Sequence, residues 1–183
     1  MSSVHKLIRD CAATLIPAGD IVLLEAGSEV TVSQALGGSV TVRTGMGLFR
    51  IAPADLDALG QEAIGLYGEQ PKNEATGPLN QDMLWEALKG CFDPEIPVNI
   101  VDLGLVYSLK VEPLDNSPDR HSVVVAMTLT APGCGMGPVI AEDARNRVLG
   151  VPGINQARVD IVWDPPWTQT MISEDGKMQL GLI

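Results

Sequence analysis

Histidine, cysteine and aromatic side chains are scarce in this chain. Of 183 residues, two are histidine, His5 and His121, and three are cysteine, Cys11, Cys91 and Cys134. Neither histidine has a cysteine or second histidine at ligand spacing, and there is no C-x-x-C pair. A four-cysteine zinc site and a thioredoxin-type redox centre are thereby excluded. Three widely spaced cysteines form no disulfide framework and fit a reducing cytosol. Aromatics make up only 4% of the chain, so a core has to be built from Val, Leu, Ile and Ala. No apolar run approaches the roughly 18 residues of a membrane span, and the opening MSSVHKLIRD lacks the apolar stretch of a secretory signal. Basic residues number 12 against 23 acidic ones, giving a net charge of −11 with no run of Lys or Arg. Such a surface repels phosphate backbones and anionic lipid, so neither nucleic acid nor a membrane is an expected partner. A soluble cytoplasmic protein is expected.

Hydrophobic residues reach 45%, ample for a packed core. Residues 1–66 hold four short apolar runs, IVLL, VTV, VTVR and LFRI, separated by Gly27-Ser28, Gly37-Gly38 and Gly45-Met46-Gly47. That spacing predicts a small antiparallel sheet or barrel of about four strands, followed by a helical turn opened by Pro53. No catalytic grouping is visible there, so this half reads as a binding or structural module. Residues 67–79, YGEQPKNEATGPL, have the composition of a linker.

Residues 80–183 read differently. Asn80 caps a helix over QDMLWEALKGC, with Met83, Leu84, Ala87 and Leu88 at core spacing. A strand from Leu103 to Glu112, in which Leu103, Leu105, Tyr107 and Leu109 face one way, pairs with another from His121 to Thr130. PVIAEDARNRVL is a second helix, stopped by Gly150, and QARVDIVW is a third strand. The tail is expected to add a short helix, weakened by Gly176. The fold class is therefore α+β: a small antiparallel β domain, then a compact mixed domain of order α-β-β-α-β-α with helices on one face of a small sheet.

Cys134 lies between a strand and a helix, among Gly133, Gly135 and Gly137. Glycines allow close approach of a partner, and a helix N-terminus favours a thiolate, the form that acts as nucleophile or metal ligand. The plainer reading, a small apolar filler, suits Cys11 and Cys91 better. Tyrosine-phosphatase chemistry would need Arg where Ile140 stands, a P-loop would need Lys where Pro138 stands, and a Cys–His base would need a nearer histidine than His121. Asp93 and Glu95 in DPEIP could act as acid and base or as hard ligands, or could simply cap turns. DPPW, with Asp164 and Trp167, suits a rigid corner or a recognition ledge.

CFDPEIPVNIVDLGLVYSLKVE, then VAMTLTAPGCGMG, then VDIVWDPPW together resemble the small domain shared by the SufT family of iron–sulfur assembly factors, PaaD and the eukaryotic cytosolic iron–sulfur targeting factors. The resemblance covers residues from about 80 to 183. QALGGSVTVRTGMGLFRI and DLDALG are similar to the extension of the long SufT group, which PaaD lacks. The resemblance implies a role in maturing iron–sulfur proteins, with Cys134 as the reactive cysteine. It also implies a cleft of Asp93, Glu95, Thr128 and Thr130, supported by Asp102, Asp164 and Trp167. Short members often carry Pro directly after the cysteine, where Gly135 stands here.

Three functions compete at this stage. The first is a non-enzymatic assembly factor, with no catalytic residue and no stably bound cofactor. Cys134 would transiently hold a cluster, iron or a client's thiols. Its partners would be the iron–sulfur assembly machinery and client apo-proteins. One cysteine cannot supply the four protein ligands that clusters usually take, so a homodimer or a client would share the cargo across Cys134. The second is a PaaD-like interaction subunit of an oxygenase complex. The third is an enzyme with Cys134 as nucleophile and Asp93 or Glu95 carrying the proton.

Overall fold

The structure, a computed structural model, describes residues 3–68 and 78–183. The chain divides into two compact units, Met1–Gln70 and Pro71–Ile183. Most of the expected linker, residues 69–77, lies outside the described residues; Tyr67, its first residue, is helical.

The first unit is a six-stranded, wholly antiparallel sheet rather than about four strands. Its strands are β1 (Val4–Lys6), β2 (Cys11–Ile16), β3 (Ile21–Leu24), β4 (Glu29–Leu36), β5 (Ser39–Thr44) and β6 (Gly47–Ile51), in the spatial order β1-β4-β5-β6-β2-β3. The four expected runs are β3 to β6. The run CAATLI of β2 escapes a reading by alternation because its exposed Ala12 is as apolar as its buried Cys11 and Ala13. One sheet face closes over Leu24, Val30, Val40, Val42, Phe49 and Ile51. A 3₁₀ helix, Pro53–Leu59, adds Leu56 and Leu59 to that core, and α1 (Gln61–Tyr67) adds Ala63.

The second unit follows the predicted order. Helix α2 (Gln81–Leu88) starts at Asn80, whose side chain accepts the Asp82 N–H, and buries Leu84, Ala87 and Leu88. Strands β7 (Val106–Pro113), β8 (His121–Met127) and β9 (Ile154–Ile161) form a sheet in that order, β7–β8 antiparallel and β8–β9 parallel. The parallel pair is joined through α3 (Gly137–Leu149), as a βαβ connection requires. Helix α4 (Glu174–Gln179) begins at Ser173.

Both predicted strands of the hairpin are too long. Residues 101–104 form turns, with Gly104 at φ +72°, so β7 begins at Val106 rather than Leu103. A register shift between Val106 and Ser108 then breaks the alternation expected to carry through Tyr107. β8 ends at Met127; Thr128 makes one further backbone bond, to the Leu105 carbonyl, before the chain turns away. Among the described residues, no helix is long and apolar enough to cross a membrane.

Candidate functional site

The loop from β8 into α3 carries Cys134. Its helix is entered through Gly137, where a side chain would press on the buried Leu129 and on Ile161. The Gly137 N–H is donated back to the Cys134 carbonyl at 3.2 Å, so the cysteine sits in the turn that starts the helix. Its side chain is half-buried, whereas Cys11 and Cys91 are wholly buried. The fillers behave as fillers. Burial pushes the Cys11 thiol up, and the Cys91 thiol points at the Ile140 carbonyl, 3.7 Å away on α3.

Cys91 also opens the loop that holds the acidic residues. Its carbonyl accepts the Ile100 N–H at 2.9 Å, and Phe92 pairs with Asn99, so DPEIP is the tip of a closed hook. Within it the two carboxylates part company. Asp93 is 5% exposed and accepts the Glu95 N–H at 2.9 Å, which is the turn-capping use. Burial holds its carboxyl above the ordinary 3.8, outweighing the Glu95 N–H, which pulls the other way. Glu95 faces solvent. They are a buried acid and a solvated one, not a symmetric pair.

Thr128 and Thr130 lie beyond the end of β8, so no shared strand face holds their hydroxyls together. Thr128 is 1% exposed and its Oγ1 has no hydrogen-bond partner among the described residues. Thr130 is half-buried in the turn that leads towards Cys134. An unsatisfied buried hydroxyl costs roughly 1–3 kcal/mol.

Asp102 is a fastening residue. Its carboxylate accepts Asn99 Nδ2 at 2.6 Å and Ser173 Oγ at 2.9 Å, and its carbonyl accepts the Ser173 N–H at 2.8 Å. It therefore ties the hook to the start of α4. Trp167 does the same for the preceding segment, giving its indole N–H to the Leu103 carbonyl at 2.8 Å, and Tyr107 donates its hydroxyl to the Pro165 carbonyl at 2.7 Å. Since β9 and β7 are opposite edges of the sheet, DPPW carries the chain from one edge to the other. Asp164 itself is exposed. Asn99 and Ser173 were not singled out in the sequence, and Tyr107 was named only for its strand face. Their partners are up to 71 residues distant, and only an Asn three residues before an Asp hinted at the Asn99–Asp102 bond.

His121 opens β8, and its ring nitrogen lies 3.3 Å from the Gly153 carbonyl. The cysteine loop follows the other end of that strand, about 20 Å away at the usual rise per residue. Among the described residues, no three His, Cys, Asp or Glu side chains converge as metal ligands.

The family described as "Iron-sulfur cluster assembly protein" matches residues 81–161. A "Fe-S protein maturation auxiliary factor" of Porphyromonas gingivalis is 41% identical over 96 residues, 52% of this chain and 86% of that protein. The "Fe-S protein maturation auxiliary factor SufT" of Staphylococcus aureus is 42% identical over 90 residues, 49% of this chain and 96% of the relative. A crystal structure of a domain of unknown function, DUF59, from Bacillus anthracis is 36% identical, with a TM-score of 0.47 over 56% of this chain and 92% of that one. With about two-fifths identity across nearly the full length of these relatives, the chain belongs to the iron–sulfur cluster assembly protein family.

Proposed function

We propose that this protein is an auxiliary factor in the maturation of iron–sulfur proteins, acting by binding and handing over rather than by catalysis, with Cys134 as its contact to the cargo. The carrying observation is the partition of the cysteines. Two are sealed in the two cores and one stands half-open at the start of α3, in the unit that shares its family with named maturation factors. A thiolate at that position can ligate iron and then be displaced from the metal by a client's thiolate, a ligand substitution that needs no oxidant. Full ligation of a cluster needs further ligands, which a second copy of the chain or the client supplies. Cluster or iron is cargo in this reading, not a resident group.

The surroundings suit transfer better than covalent catalysis. Asp93, the acid closest in character to a proton carrier, is committed to its turn, and the nearer histidine by sequence stands at the far end of β8. Partners follow from the role: the iron–sulfur assembly machinery and its client apo-proteins.

Anaerobic reconstitution with iron and sulfide tests this, comparing wild type with Cys134→Ser by absorbance and mass. Cluster absorbance in the wild type, lost in the variant and accompanied by a dimer mass, is expected. Equal client maturation by wild type and Cys134→Ser would overturn the assignment of the cysteine.

A further inference from the structure

Among the described residues, the two sheets leave four edge strands, and an edge strand is a template for pairing unless something blunts it. Three of the four are blunted. β1 has three residues and ends in the exposed Lys6. β7 carries the exposed Lys110 and Glu112, ends at Pro113, and is broken by the register shift beside Tyr107. On β9 the Ala157 carbonyl is taken by Arg145 Nε at 3.1 Å.

β3 has none of these devices. Its sequence is Ile-Val-Leu-Leu, paired among the described residues on one side only, with β2, in regular antiparallel register from Cys11↔Leu24 to Thr14↔Ile21. Leu24 is buried in the core, while Ile21 is 79% and Leu23 61% exposed. Ala12 lies exposed opposite Leu23, so the apolar surface continues onto β2.

Charge selects what this edge accepts. Asp20 and Glu25 flank the strand, both exposed. Neither side chain enters an ion pair among the described residues. Asp10 joins the Leu24 end, accepting the Ala26 N–H at 2.8 Å. Among nearby cations, Lys6 reaches alongside Gly27, two residues past Glu25, and Arg9 is held by Asp55 and Asp57. Arg50 stands opposite Thr14 on β6, two strands in from the edge. Two copies joined antiparallel through β3 would set Asp20 of one alongside Glu25 of the other at both ends, against a net charge of −11 on each chain. We infer that the β3 edge is a docking strand for a partner protein's extended apolar segment flanked by lysine or arginine. Main-chain pairing supplies the fit, Ile21 and Leu23 the apolar contact, and the acidic flanks the choice of partner.

The test uses the full chain and two fluorescent peptides with the same alternating valine–threonine core, one flanked by lysines and the other by glutamates. Polarisation titration is expected to give binding of the lysine-flanked peptide at least about tenfold tighter, a gap that narrows with salt. The double variant Ile21→Lys/Leu23→Lys changes only exposed positions, and its melting temperature checks that it folds. It is expected to lose that binding, and Asp20→Lys/Glu25→Lys to lose the preference between peptides. Equal binding of both peptides, or none, overturns the inference. So does self-association of the wild type that the Ile21/Leu23 variant abolishes, since that would give the edge to a second copy.

Discussion

Asp93 combines two roles in one carboxyl, shaping the DPEIP turn and sitting 5% exposed. Because burial raises its pKa above 3.8, the native state binds more protons than the unfolded chain. Its contribution to stability is then greatest below 3.8 and fades as pH climbs through the raised value. Asp93→Asn keeps an acceptor for the Glu95 N–H and removes the charge. Thermal melts across pH should show the Asn variant gaining on wild type as pH rises above the ordinary carboxylate range. A constant difference would mean the ionised carboxylate bears no burial cost. The two roles weighed for Asp93 could not be separated from DPEIP, because burial is decided by Cys91, Phe92 and Asn99 closing the hook. The position of Cys134 between a strand and a helix was legible, since the apolar run of β8 before it and Pro138 at the start of α3 after it bracket the loop. The lone Thr128 hydroxyl was not, because an extra strand residue looks the same whether or not its partner is missing.

The DPEIP hook, the segment bearing Trp167 and the start of α4 meet at the VDLG turn. Gly104 stands at φ +72°, and a side chain on it would collide with the Met171 carbonyl. Gly104→Ala should therefore cost about 1–2 kcal/mol from the left-handed backbone alone, with more added because the obstacle is main chain. The segment bearing Trp167 has to move, so the loss should appear as a lowered melting temperature together with a shift in tryptophan emission. A drop in stability with unchanged emission would show the tail holding its place without this seat. Gly176 explains a misjudged signal of the same kind. Read as a helix weakener, it sits in α4 where a side chain would meet the Asp102 carbonyl at 2.8 Å, so the glycine permits the packing that stabilises the helix. Periodicity located α2, α3 and β9 because each keeps a regular apolar face. It misplaced the ends of β7 and β8, where a register shift and a turn break the period, and it missed β2, whose outward residues are as apolar as its inward ones.

Across the whole chain, the family match and the candidate site fall in the second unit, while the unblunted β3 edge falls in the first. Each unit encloses core residues of its own, around Val40, Phe49 and Ile51 in one and around Leu88, Val125 and Ile140 in the other. Such an arrangement gives each unit apolar burial of its own to fold on. It also makes a physical demand, that the two units unfold separately. Trp85, Trp163 and Trp167 all belong to the second unit, so tryptophan fluorescence reports on that unit alone, whereas far-ultraviolet circular dichroism sees both. Phe49→Ala empties a fully packed position in the first core, at a cost of about 3–5 kcal/mol. The expected result is an early loss of part of the dichroism signal with the fluorescence midpoint unmoved. If both signals shift together, the chain folds as one cooperative body, and binding at the first unit would be felt directly at Cys134.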